Sequence, residues 1–255
     1  MRLEDILYSQ GFGTRRVCAG LIQQGWVSVE VPGHGLQPCT EAGATFEPEG
    51  LVFTVQGVRW QWLHRAYIML NKPAGTECSQ RPSAWPSVYT LLPAPLRQRP
   101  VKGAQPGVQA VGRLDQDTTG LLLLSDDGQF IHRMASPRHH VPKVYEVVLR
   151  DVLQPAQVQR LLDGVVLDDA PEPVRALQCE ATGDHALRLV IAEGRYHQVK
   201  RMVAAAGNRV QALHRARIGG LALPADLAPG QWRMLQAADL LALGFKLAEA
   251  ATASR

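Results

Sequence analysis

The chain has 255 residues, of which 46% are hydrophobic and 20% are charged, and it carries a formal net charge of +4. This composition excludes fibrous and disordered proteins and is typical of one large domain or two smaller ones. The start, MRLEDILYSQ, lacks the apolar core of a signal peptide, and no aliphatic run approaches the roughly 20 residues of a membrane span. We therefore expect a cytoplasmic protein without a membrane partner.

The distribution of charge indicates the kind of partner, and the spacing of the cysteines indicates whether a metal site or disulfides are expected. The first 60 residues contain more acidic than basic side chains, so the basic excess lies in the rest of the chain, where it suits a polyanion. The four cysteines lie far apart and form no C-x-x-C pair, which argues against a zinc site or a disulfide framework. We expect reduced thiols, no metal and no cofactor.

Two short helices and a few strands are predicted at the N-terminus. RLEDILYSQ places Leu3, Ile6 and Leu7 on one face, and TRRVCAGLIQQG follows Thr14, which can cap the second helix. In that second helix we expect the apolar face to consist of Val17, Leu21 and Ile22. WVSVEV and ATFEPEGLVFTV then predict short strands, so residues 1–56 form a small α+β module.

This module resembles an S4-type RNA-binding domain, in which two helices precede a small β-structure. Arg15 and Arg16 stand at the start of the second helix, where side-chain charge and free backbone N–H groups both favour phosphate. Two solvated surface arginines are the alternative interpretation.

The remaining chain is predicted as a linker at residues 57–65, a second domain at 66–245 and a loose tail at 246–255. Strands dominate the second domain, and helices interrupt them at QFIHRMA, PAQVQRLL and YHQVKRMVAAAG. The overall expectation is an α+β protein with a mixed, mainly antiparallel catalytic sheet and a central cleft.

Three segments of the second domain carry groups suited to chemistry. In GRLDQDTTGLLLLSDDG, residues 112–128, an apolar strand anchors a loop that delivers Asp115 into a cleft, while Asp126 and Asp127 are interpreted as turn and N-cap residues. Lys143 and Tyr145 lie two apart in a strand and share a face. EGRYHQVKRM begins a helix on which His197, Lys200 and Arg201 share another face.

LNKPAG, GRLDQDTTGLLLLSDDG, SPRHH followed by K-x-Y, and EGRYHQVKRM occur in this order. In this arrangement the chain resembles the RsuA family of pseudouridine synthases over nearly its whole length. The resemblance implies an isomerase that needs no cofactor and converts a uridine of small-subunit ribosomal RNA, at the uridine-516 type of site, by base flipping. Large-subunit or transfer RNA as the target, and a non-catalytic RNA-binding or assembly factor, are the alternatives.

The resemblance also implies the roles of individual side chains. Asp115 is the catalytic aspartate, Tyr145 stacks on the target base or moves protons, and Lys200 pairs with Asp115 and keeps its pKa low. Arg113 enters the base stack when the uridine flips out. Asp117, Thr118 and Thr119 shape the loop.

Further basic residues are candidates for binding RNA. Arg138, His139, His140 and Lys143 form a predicted cluster for phosphates or bases, and a solvated loop is the alternative interpretation for His139 and His140. Arg201 is a further candidate, and Lys72, Arg195, Arg215 and Arg217 could extend the basic cleft. The expected partner is small-subunit ribosomal RNA, naked or in assembly intermediates, and we expect a monomer.

Overall fold

The computed structural model describes residues 1–168 and 170–246, so the predicted tail lies outside the described residues from 247 onward. The chain divides into two compact units. The first contains residues 1–66, 92–109 and 125–127, and the second contains residues 67–91, 110–124 and the chain from 128 onward. None of the described helices has the length and apolar character needed to cross a membrane.

The first unit combines helices with a four-stranded antiparallel sheet in the order β2-β1-β3-β4. Its elements are α1 (Leu3–Gln10), α2 (Arg15–Gln23), β1 (Val27–Val31), β2 (Gly35–Pro38), β3 (Val52–Val55), β4 (Val58–Gln61) and α3 (Ala94–Gln98). Thr14 caps α2 as predicted, because its side chain accepts a hydrogen bond from the backbone N–H of Val17.

Two details of the first unit differ from the sequence-based predictions. Val17 is half exposed, whereas Cys18 and Ile22, four residues apart on one face of α2, are buried in the core with α1. The predicted linker is also wrong in part. Residues 58–61 form β4, which pairs with β3 and extends the sheet.

The second unit is built on a nine-stranded sheet whose main path is β11-β12-β8-β13-β7-β5-β15. The strands of that sheet are β5 (Tyr67–Lys72), β6 (Gln109–Ala110), β7 (Thr119–Ser125), β8 (Lys143–Leu149), β11 (Gln178–Gly183), β12 (Ala186–Ile191), β13 (Val210–Ile218), β14 (Leu221–Ala222) and β15 (Trp232–Met234). Two further strands, β9 (Val165–Leu167) and β10 (Ala170–Val174), form a separate antiparallel pair. The helices of the second unit are α4 (Gly128–Ala135), α5 (Pro155–Asp163), α6 (Gln198–Ala205) and α7 (Ala237–Ala242).

The predicted α+β class with a mixed, mainly antiparallel sheet is confirmed. β13 pairs in parallel with β7 and antiparallel with β8 and β14. The pairs β11–β12, β12–β8 and β15–β5 are also antiparallel. All four leucines at 121–124 are fully buried in β7, as an apolar run between loops predicts for a central strand. β7 is therefore a rigid support for the loop that precedes it.

A buried ion pair in the first unit corrects the prediction for Asp126. Its carboxylate lies 2.7 Å from Nε of Arg99 and accepts a hydrogen bond from the backbone N–H of Ala66. Arg99 also donates to Oε1 of Gln10 and to the carbonyl oxygen of Leu63. Asp126 is thus the buried partner of a cation. These contacts explain why residues 92–109 and 125–127 group with the first unit although the sequence placed them in the second domain.

Candidate active site

The loop that carries Asp115 joins β6 to β7 and is fixed by backbone hydrogen bonds. The N–H of Thr118 donates to the carbonyl oxygen of Asp115 at 3.1 Å, and the N–H of Gly75 donates to the carbonyl oxygen of Gln116 at 2.8 Å. Both bonds restrict the backbone on the C-terminal side of Asp115. The carboxylate is therefore presented by a constrained loop, as a reacting group requires.

Lys72 in β5 forms hydrogen bonds with the same loop. Its ammonium group is fully buried and donates to the carbonyl oxygens of Pro73, Gln116 and Thr118 at 3.0, 3.3 and 2.9 Å. Burial lowers the pKa of Lys72. Lys72 therefore positions the loop. The sequence suggested that Lys72 could extend an exposed basic cleft, but its side chain is buried.

The carboxylate of Asp115 contacts two side chains at the start of α6. Nζ of Lys200 lies 3.1 Å from Oδ2, and Nε2 of His197 lies 3.2 Å from Oδ1. Each carboxylate oxygen thus has its own nitrogen partner. This arrangement fixes the orientation of the group.

Lys200 also binds Asp117, with Nζ 2.6 Å from Oδ1. Burial would lower the pKa of Lys200, but the hydrogen bonds to Asp117 and then to Asp115 outweigh it and raise the pKa. Burial alone would raise the pKa of Asp117, but the hydrogen bond from Lys200 outweighs burial, so the pKa of Asp117 is lowered. At neutral pH the cluster therefore contains an ammonium group between two acidic side chains.

Tyr145 in β8 and Arg215 in β13 lie opposite one another across an antiparallel pair. Nη1 of Arg215 is 3.5 Å from the hydroxyl oxygen of Tyr145, and Nε donates to the carbonyl oxygen of Leu121 at 2.8 Å. Gly120, at φ 102°, allows this approach of β7 to β13, because a Cβ there would overlap the carbonyl oxygen of Arg215.

Groups of these segments line one cavity of about 110 Å³. It is lined by residues of the Asp115 loop, β8, α6 and β13, among them Asp115, Thr118, Lys143, Tyr145, His197 and Arg215. An adjoining, wider cavity is lined by Asp115, Asp117, Lys200 and the segment 77–79. No group of three His, Cys, Asp or Glu side chains arranged to hold a metal occurs within residues 1–168 and 170–246.

The predicted RNA-binding residues fall at different places. Arg113 is exposed and lines both cavities. Arg138, His139 and His140 are exposed on or just after a short 3-10 helix, Pro137–His139, and they line neither cavity. Lys143 is 8% exposed and lines the first cavity, so the structure separates it from the exposed cluster in which the sequence placed it.

Three other predicted RNA-binding residues lie away from the cavities. Arg15 and Arg16 are exposed at the start of α2 in the first unit, where Arg15 pairs with Asp5 at 2.8 Å. Arg201 follows Lys200 in α6, and its Nη1 donates to the carbonyl oxygen of Tyr196. Arg16 is exposed and forms no salt bridge with the residues that the structure describes.

Comparison with known proteins identifies the family. A profile described as RNA pseudouridylate synthase matches residues 66–205. The chain belongs to the RNA pseudouridylate synthase family.

Similarity to individual pseudouridine synthases extends over most of the chain. The chain is 36% identical to a protein of Haemophilus influenzae named ribosomal small subunit pseudouridine synthase A, over 94% of this chain and 98% of that protein. It is 45% identical to the protein of that name from Yersinia pestis, over 70% of this chain and 72% of the relative. A crystal structure of a pseudouridylate synthase matches with a TM-score of 0.64 and 34% identity, covering 95% of this chain and 99% of that chain. The recognition of an RsuA-type pseudouridine synthase, its fold and its class of enzyme are thus confirmed.

The contact of His197 with Asp115 in this pseudouridine synthase was missed by the sequence analysis. His197 has φ 50°, a left-handed conformation that is uncommon for residues other than glycine. Its ring stacks on that of Tyr196, with centroids 3.8 Å apart and planes at 19°. Helical periodicity puts His197 beside Lys200, but it does not indicate the left-handed backbone that turns the ring toward Asp115.

We expect His197→Asn to lower kcat by roughly 10-fold without weakening RNA binding. Asparagine tolerates the left-handed backbone, so the variant keeps its fold, but it leaves one oxygen of Asp115 without its partner. Single-turnover kinetics and an RNA-binding isotherm measure the two effects. His185→Asn, on an exposed turn before β12, is the control. An unchanged kcat for His197→Asn would show that Lys200 alone orients the carboxylate.

Proposed function

We propose that this pseudouridine synthase isomerises a uridine of small-subunit ribosomal RNA, at the uridine-516 type of site, with Asp115 as the catalytic carboxylate. The observation that carries the chemical assignment is the contact of Asp115 with Lys200 and His197 at the cavity that also contains Tyr145. The RNA target is supported by similarity, over nearly the whole chain, to a relative named for the small subunit.

Asp115, Lys200 and Tyr145 are proposed to act in the isomerisation. Lys200 and His197 hold the carboxylate of Asp115 at the cavity, where it would act on the flipped nucleotide. The bond between C1′ of the ribose and N1 of the uracil breaks, the base turns, and C5 bonds to C1′. C5 then loses its proton and N1 gains one, so the product has the composition of the substrate. Tyr145, buried beside the cavity, is proposed to stack on the base.

The exposed basic residues are proposed to hold the surrounding RNA. Arg113, which is exposed and lines both cavities, would fill the gap that the flipped uridine leaves in the base stack. Arg138, His139, His140 and Arg201 would contact phosphates or bases in the second unit. Arg16, and Arg15 in competition with Asp5, would contact phosphates in the first.

The domain assignment is part of the proposal. Residues 1–56 are proposed as an S4-like RNA-binding domain, which the two helices and β-structure of the first unit support. Residues 66–245 are proposed as the catalytic domain. We also propose that the protein acts as a monomer in the cytoplasm.

Release of tritium from C5-labelled uridine tests the target. We expect release from small-subunit ribosomal RNA, or from its assembly intermediates, and none from large-subunit or transfer RNA, because formation of the C5–C1′ bond expels the label. Mass spectrometry of nuclease fragments then identifies the modified uridine. Release from another class of RNA would overturn the target and keep the chemistry. Failure with every RNA and assembly intermediate would favour a non-catalytic RNA-binding factor.

A further inference from the structure

Two residues that line the first cavity each carry a polar atom with no hydrogen-bond partner within the part of the chain that the structure describes. These atoms are Nη2 of Arg215 and Oγ1 of Thr118, and both are completely buried. Arg215 as a residue is 4% exposed and Thr118 is 1% exposed. A buried polar group without a partner costs free energy, so both residues keep unused hydrogen-bonding capacity beside the cavity.

Lys143 adds a second cation to the same cavity. It is 8% exposed, and its ammonium group forms no hydrogen bond or ion pair with the described residues. Burial, and then the neighbouring charge of Arg215, lower the pKa of Lys143 to about 8. Arg215 and Lys143 thus place positive charge in the cavity, while the carboxylate of Asp115 at the same cavity is bound by Lys200 and His197.

The cavity has room for a small ligand. A volume of about 10–15 Å³ measured in this way holds one water molecule, and this cavity measures about 110 Å³. The expected ligand is smaller than a nucleotide, carries hydrogen-bond acceptors and gains negative charge. A phosphate of the RNA backbone fits this position poorly, because Asp115 and Tyr145 line the same space.

We propose that Lys143 and Arg215 bind the uracil base and stabilise the negative charge that it acquires when it separates from the ribose. This inference deepens the proposed function and depends on it for the reaction, although it does not depend on which RNA is the target. When the C1′–N1 bond breaks, its electron pair stays on N1 and spreads to O2 and O4. Cations fixed where that charge develops stabilise the transition state more than the neutral base.

The same pair of cations would discriminate against cytidine. Uracil presents two carbonyl acceptors, whereas cytosine carries an amino group at position 4 that can only donate. Arg215 and a protonated Lys143 can also only donate hydrogen bonds. The amino group of cytosine would therefore face buried donors, and neither side would have an acceptor. Specificity for uridine would then follow from the groups that stabilise the leaving base.

Lys143→Met is the first variant of the test, because methionine fills similar space without a charge. We expect kcat at saturating RNA to fall about 100-fold, with the Kd for RNA within about twofold of wild type. Lys143→Arg should restore most of the rate. Lys102→Met, on an exposed loop, is the matched control. Any RNA that the wild type modifies serves as the substrate, so a wrong target and a wrong role for Lys143 give different results.

The pH dependence provides a readout that a structural role would not affect. The free enzyme loses the ammonium group of Lys143 as the pH rises through about 8, so kcat/KM of the wild type should fall there. The fall should move to higher pH in Lys143→Arg and disappear in Lys143→Met. The other charged or titratable groups lining the cavity are Arg113, Asp115, Tyr145, Arg195, His197 and Arg215, and all of them are retained in both variants.

Free bases test the charge directly by calorimetry. 5-Nitrouracil is an anion near neutral pH because the nitro group withdraws electrons, and thymine is a neutral base of similar shape. We expect the wild type to bind 5-nitrouracil at least 10-fold more tightly than thymine, and Lys143→Met to lose most of that preference. A wild-type kcat in Lys143→Met, or no preference for 5-nitrouracil in the wild type, would overturn the inference.

Discussion

Replacing Asp115 with asparagine will lower turnover by about 10⁴-fold or more while the protein stays folded and binds RNA. The amide keeps the size of the side chain and can still contact Lys200 and His197, but it cannot carry the negative charge that the reaction uses. RNA affinity is retained because no basic group is lost. Release of tritium from C5-labelled uridine measures the chemistry, and a filter-binding isotherm measures the affinity.

Asp117→Asn is the matched control for that variant. Asp117 binds the same ammonium group as Asp115, but its side chain is 54% exposed and it does not line the first cavity. We expect its loss to reduce turnover by less than about 10-fold, since Lys200 keeps its contact with Asp115. If the two variants were equally inactive, the acidic pair would act as one unit, and the assignment of the catalytic role to Asp115 alone would be wrong.

The strand β7, which supports Asp115, and the start of α2 could be predicted because their signals are local. Four consecutive leucines between a glycine and a turn predict the buried strand β7 from residues that are adjacent in sequence. Thr14 predicts the start of α2 for the same reason, since a cap and the N–H that it binds are three residues apart. The resemblance to a family, carried by four motifs in order, supplied the pairing of Asp115 with Lys200.

What the sequence analysis missed depends on contacts between distant residues. Asp126 looks like a turn residue, and its partner Arg99 lies 27 positions earlier with no pattern that joins them. Lys72 was expected to extend the basic cleft and Lys143 to belong to an RNA-binding cluster, yet each is in fact a buried cation. Their burial follows from their positions on strands of the large sheet, and local sequence does not give the order of those strands.

The buried pair of Arg99 and Asp126 gives the largest expected effect on stability. Both side chains are at most 4% exposed, and Asp126 also accepts the hydrogen bond of the backbone N–H of Ala66. Asp126→Ala leaves the guanidinium of Arg99 buried without a counter-charge, so we expect the free energy of unfolding to fall by about 3–5 kcal/mol. Urea denaturation followed by tryptophan fluorescence measures the change, since three of the five tryptophans, Trp26, Trp60 and Trp62, lie in the first unit.

Two further variants separate the charge effect from the loss of packing. Glu30→Ala removes the partner of Arg59 in an ion pair of the same unit whose side chains are 40% and 61% exposed, and it should cost less than about 1 kcal/mol. The double variant Arg99→Met/Asp126→Leu buries no charge, so it should be more stable than Asp126→Ala alone. If the double variant were the less stable of the two, the hydrogen bonds from Arg99 to Gln10 and Leu63 would contribute more to the fold than the ion pair does.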